Sequence, residues 1–166
     1  MTAGDHGVRI REFRAKDAVR LRGVFMSSVH TLASGFYTVE QLEAWAPATY
    51  DESEWARKLA KLRPFVAVAD DQPVGYADLQ DSGYIDHFFV SARFSARGVG
   101  SALMQHIHGA ADARGIGRLS ADVSRSAEAF FLRHGFELDY RQTVVRKGVP
   151  LENARMHRVL ADLGGL

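Results

Sequence analysis

Two rhythms of apolar and polar residues run along this chain, and the switches between them outline its elements. Val8-Arg9-Ile10-Arg11-Glu12-Phe13 alternates strictly, which predicts a first strand. Between residues 17 and 33, Leu21, Val24, Phe25, Ser28 and Leu32 fall at helical spacing, so a helix with one apolar face follows, ended by Gly35. Shorter helices are predicted over 38–45 and 52–62, separated by Pro47, and Pro64 turns the chain toward strands. Three strands are expected at 65–69, 74–79 and 84–90, joined by Asp70-Asp71-Gln72-Pro73 and Asp81-Ser82-Gly83, whose residue types suit tight hairpin turns.

The second half changes rhythm again. Val99, Ala102, Leu103, Ile107 and Ala110 mark a long helix ending near Gly115, and 119–123 reads as a short strand. Residues 126–134 form a helix stopped by Gly135, and 136–146 with 155–160 can close the sheet as a hairpin. The strand–helix–strand unit from 84 to 123 requires a parallel pair with a right-handed crossover, while the remaining order reads antiparallel. The fold class expected is α/β, in the sense of a mixed α+β sheet with helices on both faces. No repeat or long linker interrupts the 166 residues, so one domain over 1–166 is expected.

Composition narrows the chemistry. Without cysteine there is no disulfide framework, thiolate nucleophile or cysteine-held metal. With 21 Lys+Arg against 20 Asp+Glu the net charge is +1, which does not favour nonspecific nucleic-acid binding. The longest apolar run is Phe65–Ala69, far below the ~20 residues of a membrane span, and Met1 to Gly7 lacks a basic-then-apolar pattern. A cytoplasmic protein with no membrane partner is the expectation. His106 and His108 lie two apart on a helix and face away from each other, and no His-Glu-x-x-His occurs, so no metal site is expected.

One segment carries chemistry. Arg97-Gly98-Val99-Gly100-Ser101 joins a strand to a helix, where glycines let a ligand approach the backbone and the first helical amides lack partners. Such a junction suits a phosphate or pyrophosphate, or is simply a tight turn. It is neither a Walker A loop nor a dinucleotide fingerprint, because Gly-Lys-Ser/Thr and the third spaced glycine are absent.

The run from Phe88 to Leu103, with Ser95-Ala96-Arg97-Gly98-Val99-Gly100 at its centre, resembles the loop motif of the GNAT superfamily of acyl-CoA-dependent N-acetyltransferases. Ala127-Glu128-Ala129-Phe130-Phe131-Leu132-Arg133-His134-Gly135-Phe136 resembles the downstream half of that pattern, and the element order is similar from Val8 to Leu160. Tyr37-Thr38-Val39-Glu40-Gln41-Leu42-Glu43-Ala44-Trp45 and Gly83-Tyr84-Ile85-Asp86-His87 resemble segments of a bacterial subgroup. The resemblance implies a central, mostly antiparallel sheet of six to seven strands with one splayed parallel pair. It also implies acetyl-CoA as acyl donor, with the pantetheine arm along Phe88, Phe89 and Val90. The pyrophosphate would rest on Ser95, Ala96, Arg97, Gly98, Val99, Gly100 and Ser101, and Ser124 and Phe131 would complete the cofactor site. Three positions depart from the family pattern: Ser95 replaces the usual Arg/Gln, Ser124 the usual Asn, and Phe131 the Tyr that commonly protonates the departing thiolate.

Acyl transfer to an amine is helped by a base or a water path, since an amine of pKa near 10 arrives protonated. Asp86 is the candidate, on a strand face expected to be shared with Tyr84 and Phe88, with Ile85, His87 and Phe89 opposite. The same carboxylate would also suit a purely structural role, holding an amide or an arginine. Tyr37, Trp45 and Tyr84 are candidate acceptor-binding residues, although packing accounts for the aromatics equally well. Arg93, Arg125 and Arg133 are candidates for the cofactor's ribose phosphate. The expected activity is direct acetyl transfer, in a ternary complex, to a primary amine of a small molecule or peptide. A CoA-binding module without catalysis is the alternative, and self-association as a homodimer stays open.

Overall fold

The computed structural model describes residues 7–160. Strand β1 (Arg9–Glu12) is followed by helices α1 (Ala18–Ser27), α2 (Val39–Trp45) and α3 (Glu52–Leu62). Next come β2 (Phe65–Ala69), β3 (Gln72–Ala77), β4 (Tyr84–Ile85) and β5 (Phe88–Val90), then α4 (Val99–Ala113), β6 (Arg118–Ser124), α5 (Glu128–Arg133), β7 (Glu137–Arg146) and β8 (Val149–Val159). Among the described residues eight strands form two four-stranded sheets, β1-β2-β3-β5 and β4-β6-β8-β7, in place of one sheet of six to seven. All pairs are antiparallel except β4–β6, which is parallel as the crossover rule requires.

Two departures account for the extra strand and its length. The run 84–90 is not one strand, because its first two residues pair with β6 and its last three with β3. The final hairpin is also longer than alternation suggested. Lys147 and Gly148 both take positive φ (49° and 78°), giving a tight turn that starts β8 at Val149 rather than at 155. Leu151, Ala154 and Met156 then supply its buried positions.

The helices divide by face. Leu21, Val24 and Phe25 of α1, Leu42 of α2, and Trp55 and Leu59 of α3 bury against Val66, Val68 and Tyr76. Leu103, Met104 and Ile107 of α4 bury on the other face, against Ala67, Ala77, Ile85 and Leu119. Helix α1 does not end at a glycine but widens into a π turn over Ser28–Leu32. Ser27 Oγ there accepts the Ala92 N–H at 2.9 Å, tying the end of α1 to the segment after β5. The Tyr-Thr-x-x-Gln-Leu-x-x-Trp segment is a clamp. Thr38 and Gln41 form a reciprocal capping box on α2, and Gln41 Nε2 donates to the Pro150 carbonyl, joining the helix to β8.

Candidate active site

The break between β4 and β5 creates the central feature. Asp78, fully buried just after β3, accepts the N–H groups of both Asp86 and His87 on Oδ1, at 2.9 and 2.7 Å. A side-chain carboxylate thus satisfies the two amides that leave the ladder. The change of face across the break acts as a bulge. Ile85 packs with Phe88 and Val90 in the α4-side core, whereas Phe89 packs in the other core. The expected face of Tyr84, Asp86 and Phe88 is therefore corrected: Tyr84, Asp86 and Phe89 line one cavity, and Phe88 turns beneath α5. Strict alternation fails because Asp86 and His87 interpose outside either ladder.

Beyond the break β5 and β6 diverge. Ser91 N–H to Val74 O and Asp78 N–H to His87 O bracket the β3–β5 ladder, at 2.8 and 3.1 Å. The two-residue alternation of an antiparallel ladder then assigns Phe89 to β3 and turns the backbone groups of Phe88 and Val90 toward the gap. Val90, and not Phe89, presents its N–H to that space. Opposite, β6 continues past Ala121 to Ser124 without a partner on the same edge among the described residues.

A cleft of about 400 Å³ occupies the gap. Phe88, Phe89 and Val90 form one wall, and Ser124, Ala127, Phe130 and Phe131 the other. Ser95, Ala96, Gly98, Gly100 and Ser101 close the end. Ala96 and Gly98 take φ of 59° and 83°, winding the backbone so that the α4 amides open outward with no side-chain cap. Gly100 has a second reason to lack a side chain, since a Cβ there would lie 2.9 Å from the Phe130 ring. Arg97 and Val99 are not in the cleft wall: Arg97 stacks over Phe94 at 5.5 Å, and the Val99 side chain is in the core, leaving their backbone for any ligand.

Phe131 is 3% exposed and packs edge-on against Phe88 and Phe136, so its face closes the cleft. Ser124 and Ser126 share a hydrogen bond of 2.9 Å at the wall. Ser28 and Leu32 also reach the cleft, although helical spacing had placed them only on an apolar face. Arg133 reaches it too; Arg93 and Arg125 do not, and Arg125 Nη1 donates to the Phe36 carbonyl instead.

A smaller cavity adjoins the cleft, sharing Trp45, Phe89 and Ser124 with it and adding Tyr37, Tyr84, Asp86, Asp122 and Glu152. Asp86 is exposed, and its carboxylate has no hydrogen-bond partner among the described residues. Tyr37 is fully engaged, donating to the Glu152 carbonyl at 2.6 Å and accepting the Arg125 N–H at 2.9 Å. Tyr84 donates to Asp122 at 3.0 Å, and burial together with that carboxylate holds its hydroxyl far above the ordinary phenol range. Asp122 is itself anchored by Arg155 and Gln142. Tyr140 is 52% exposed and lines neither space.

His87, the neighbour of Asp86, is enclosed by Phe25, Trp55, Tyr76 and Phe89 and bonded to the Tyr76 hydroxyl through Nδ1 at 3.0 Å. Burial lowers its pKa to about 3, so the imidazole is neutral. The same burial lifts Asp78 to about 6, against the pull of the two amide hydrogen bonds. Neither Asp78 nor Asp122 was singled out by the sequence; both are acidic residues in alternating stretches, with no local pattern that marks them.

No three-residue cluster of metal-ligating type occurs among the described residues, and none of their helices is long and apolar enough to cross a membrane. Residues 34–157 match the family model described as an acetyltransferase (GNAT) domain. An uncharacterized N-acetyltransferase of Escherichia coli K12, YafP, is 34% identical over 151 residues, covering 91% of this chain and 95% of that protein. A GCN5-related N-acetyltransferase of Rhodopseudomonas palustris superposes with a TM-score of 0.88 at 33% identity, covering 92% of this chain and 96% of that one. The PaiA N-acetyltransferase of Thermoplasma acidophilum, crystallised with coenzyme A, shares the fold with a TM-score of 0.74 at 16% identity, over 92% and 99% of the two chains. Sequence, fold and splayed-strand cleft agree, and the chain belongs to the GNAT acetyltransferase family.

Proposed function

We propose that this protein transfers the acetyl group of acetyl-CoA directly to a primary amine of a small molecule or peptide, within a ternary complex. The observation that carries the proposal is the cleft between β5 and β6. It joins an unpaired strand edge, at Phe88 and Val90, to a left-handed loop that opens the α4 amides. An extended arm pairs with such an edge as an added strand would, and a pyrophosphate suits such a loop. The coenzyme A of the Thermoplasma relative supports the same assignment.

Acetyl-CoA would supply a thioester, whose carbonyl gathers negative charge as an amine attacks. The Val90 N–H is the backbone donor turned toward that space. Ser95 to Ser101 would hold the pyrophosphate, with Ser124 and Phe131 against the arm. Asp86 would attract the ammonium and accept its proton through water. Trp45 and Tyr84 would bound the acceptor, while Tyr37 holds α2 to β8. With no tyrosine in the cleft wall, water would protonate the departing thiolate.

Thiol release measured across a panel of amines tests the proposal, with the order of binding read from initial rates. Intersecting patterns and no acylated protein by mass spectrometry are expected, since the chain lacks cysteine. CoA binding without thiol release for any amine would favour a binding module, the alternative that rests on Phe131 and Ser95, two of the departures from the family pattern.

A further inference from the structure

On the far side of Phe89 lies a hollow of about 830 Å³ between α1, α3 and the end of β7. Arg22 lines it and is 7% exposed. Its guanidinium lies over Tyr50 at 4.1 Å, Trp55 at 4.9 Å and Phe25 at 5.2 Å. Its hydrogen bond to the protein runs from Nη2 to the Pro47 carbonyl at 2.6 Å. Nε is buried without an acceptor, and no carboxylate among the described residues pairs with this cation.

That arrangement is unusual. Buried arginines normally meet an acid, because the guanidinium offers five donors in a planar fork matched to an oxyanion. Aromatic faces balance part of the charge but accept none of those hydrogen bonds in the plane of the fork. The surroundings also lean cationic: Arg57, Lys58, Lys61, Arg146 and Lys147 line the hollow, against Asp51, Glu54 and Asp86. Asp86, Trp45, Phe89 and Arg146 belong both to this hollow and to the smaller cavity beside the cleft, so the two spaces meet at the carboxylate proposed to receive the amine.

We infer that the acetyl acceptor carries an oxyanion, carboxylate or phosphoryl, which docks on the Arg22 guanidinium while its amine lies beside Asp86. The inference rests on the proposed acetyl transfer for the meaning of Asp86, but the anion site stands on its own geometry. Amines lacking an acidic group would bind without filling the Arg22 donors and would be poorer acceptors.

Matched acceptor pairs test this on the unmodified protein: 4-aminobutyrate against butylamine, and phosphoethanolamine against ethanolamine. In at least one pair the acid-bearing amine should show kcat/KM higher by about 30-fold, the scale of one charged hydrogen bond. The pair that shows it identifies the oxyanion. Arg22→Gln should shrink that ratio to about threefold or less, mainly through KM, with Arg22→Lys intermediate. Equal rates within both pairs, or an Arg22→Gln variant that lowers both members alike, would overturn the inference. If no amine is acetylated, the transfer reading fails and the anion site is still decided by binding. N-acetylglycine or N-acetylphosphoethanolamine should shift the Arg22 Nε–H resonance saturably while N-methylacetamide does not. Absence of any acid-dependent shift would dismiss the site.

Discussion

The two sides of β5 offer a ligand different means of recognition. On the α4 side the cleft is bounded by strand edge, loop amides, serines and phenylalanines, with Arg133 the charged side chain in its wall. On the α1–α3 side the hollow is crowded with charges: Arg22, Arg57, Lys58, Lys61, Arg146 and Lys147 against three acids. Recognition by backbone demands little of side-chain identity except small size and left-handed φ at the loop. A loop of that kind makes no demand on the Ser95 side chain. Recognition by side chains is specific to what each chain places there. The difference teaches that, under the proposed function, the donor half would rest on backbone geometry and the acceptor half on the particular side chains this chain places there.

The largest expected effect strikes the backbone side. Gly100→Asp should abolish saturable CoA binding measured by calorimetry, because its Cβ meets Phe130 and its carboxylate sits among the α4 amides. Gly100→Ala keeps only the first fault and should lose less. Unchanged affinity in a folded Gly100→Asp protein would remove the loop from the donor site.

Next is the residue where the halves meet. Asp86→Asn should lower turnover by about 100-fold or more with CoA affinity nearly unchanged. Because the carboxylate is exposed and has no hydrogen-bond partner, the melting temperature should stay the same. A stability loss with near-normal turnover would make Asp86 structural and shift the search to water alone.

The support beneath both halves is expected to respond to pH. Folding raises Asp78 from an ordinary 3.8 to about 6, so the folded state holds its proton more tightly. Its favourable contribution is complete below the ordinary value and is lost as pH rises through about 6, a change on the order of 3 kcal/mol. Asp78→Asn should cancel that dependence, so urea unfolding at pH 4.5 and 7.5 should show the variant gaining on the wild type at the higher pH. Asp78→Ala removes the acceptor of two amides and should be the more destabilised of the two.

The smallest effect is an absence of change. The His87 imidazole resonances should not titrate between pH 5 and 8, since burial keeps the ring neutral down to about 3. Its influence on stability runs opposite to that of Asp78, being present at high pH and lost as pH falls below the ordinary 6.5. Titration near neutrality would mean that water enters the cage of Phe25, Trp55, Tyr76 and Phe89.

Much of this protein was legible from local pattern. Strand alternation at β1, helical spacing in α4, and glycines at the start of α4 each express a rule that acts over a few residues, so the element order and the loop could be read directly. The strict crossover rule then made β4 and β6 parallel without any knowledge of contacts. What only the tertiary structure decided are facts that depend on residues far apart in the chain. Asp78 steals two amides from the strand eight and nine positions later, which shifts the face of everything after Ile85. Tyr37, an acceptor candidate that lines the smaller cavity, has its hydroxyl engaged because Glu152 and Arg125 reach it. Among the described residues Arg22 is a buried cation with no carboxylate partner, because Pro47, Tyr50 and Trp55 close over it without bringing one. Periodicity records which face a residue occupies; only packing determines which polar groups find partners there and which are left for a ligand.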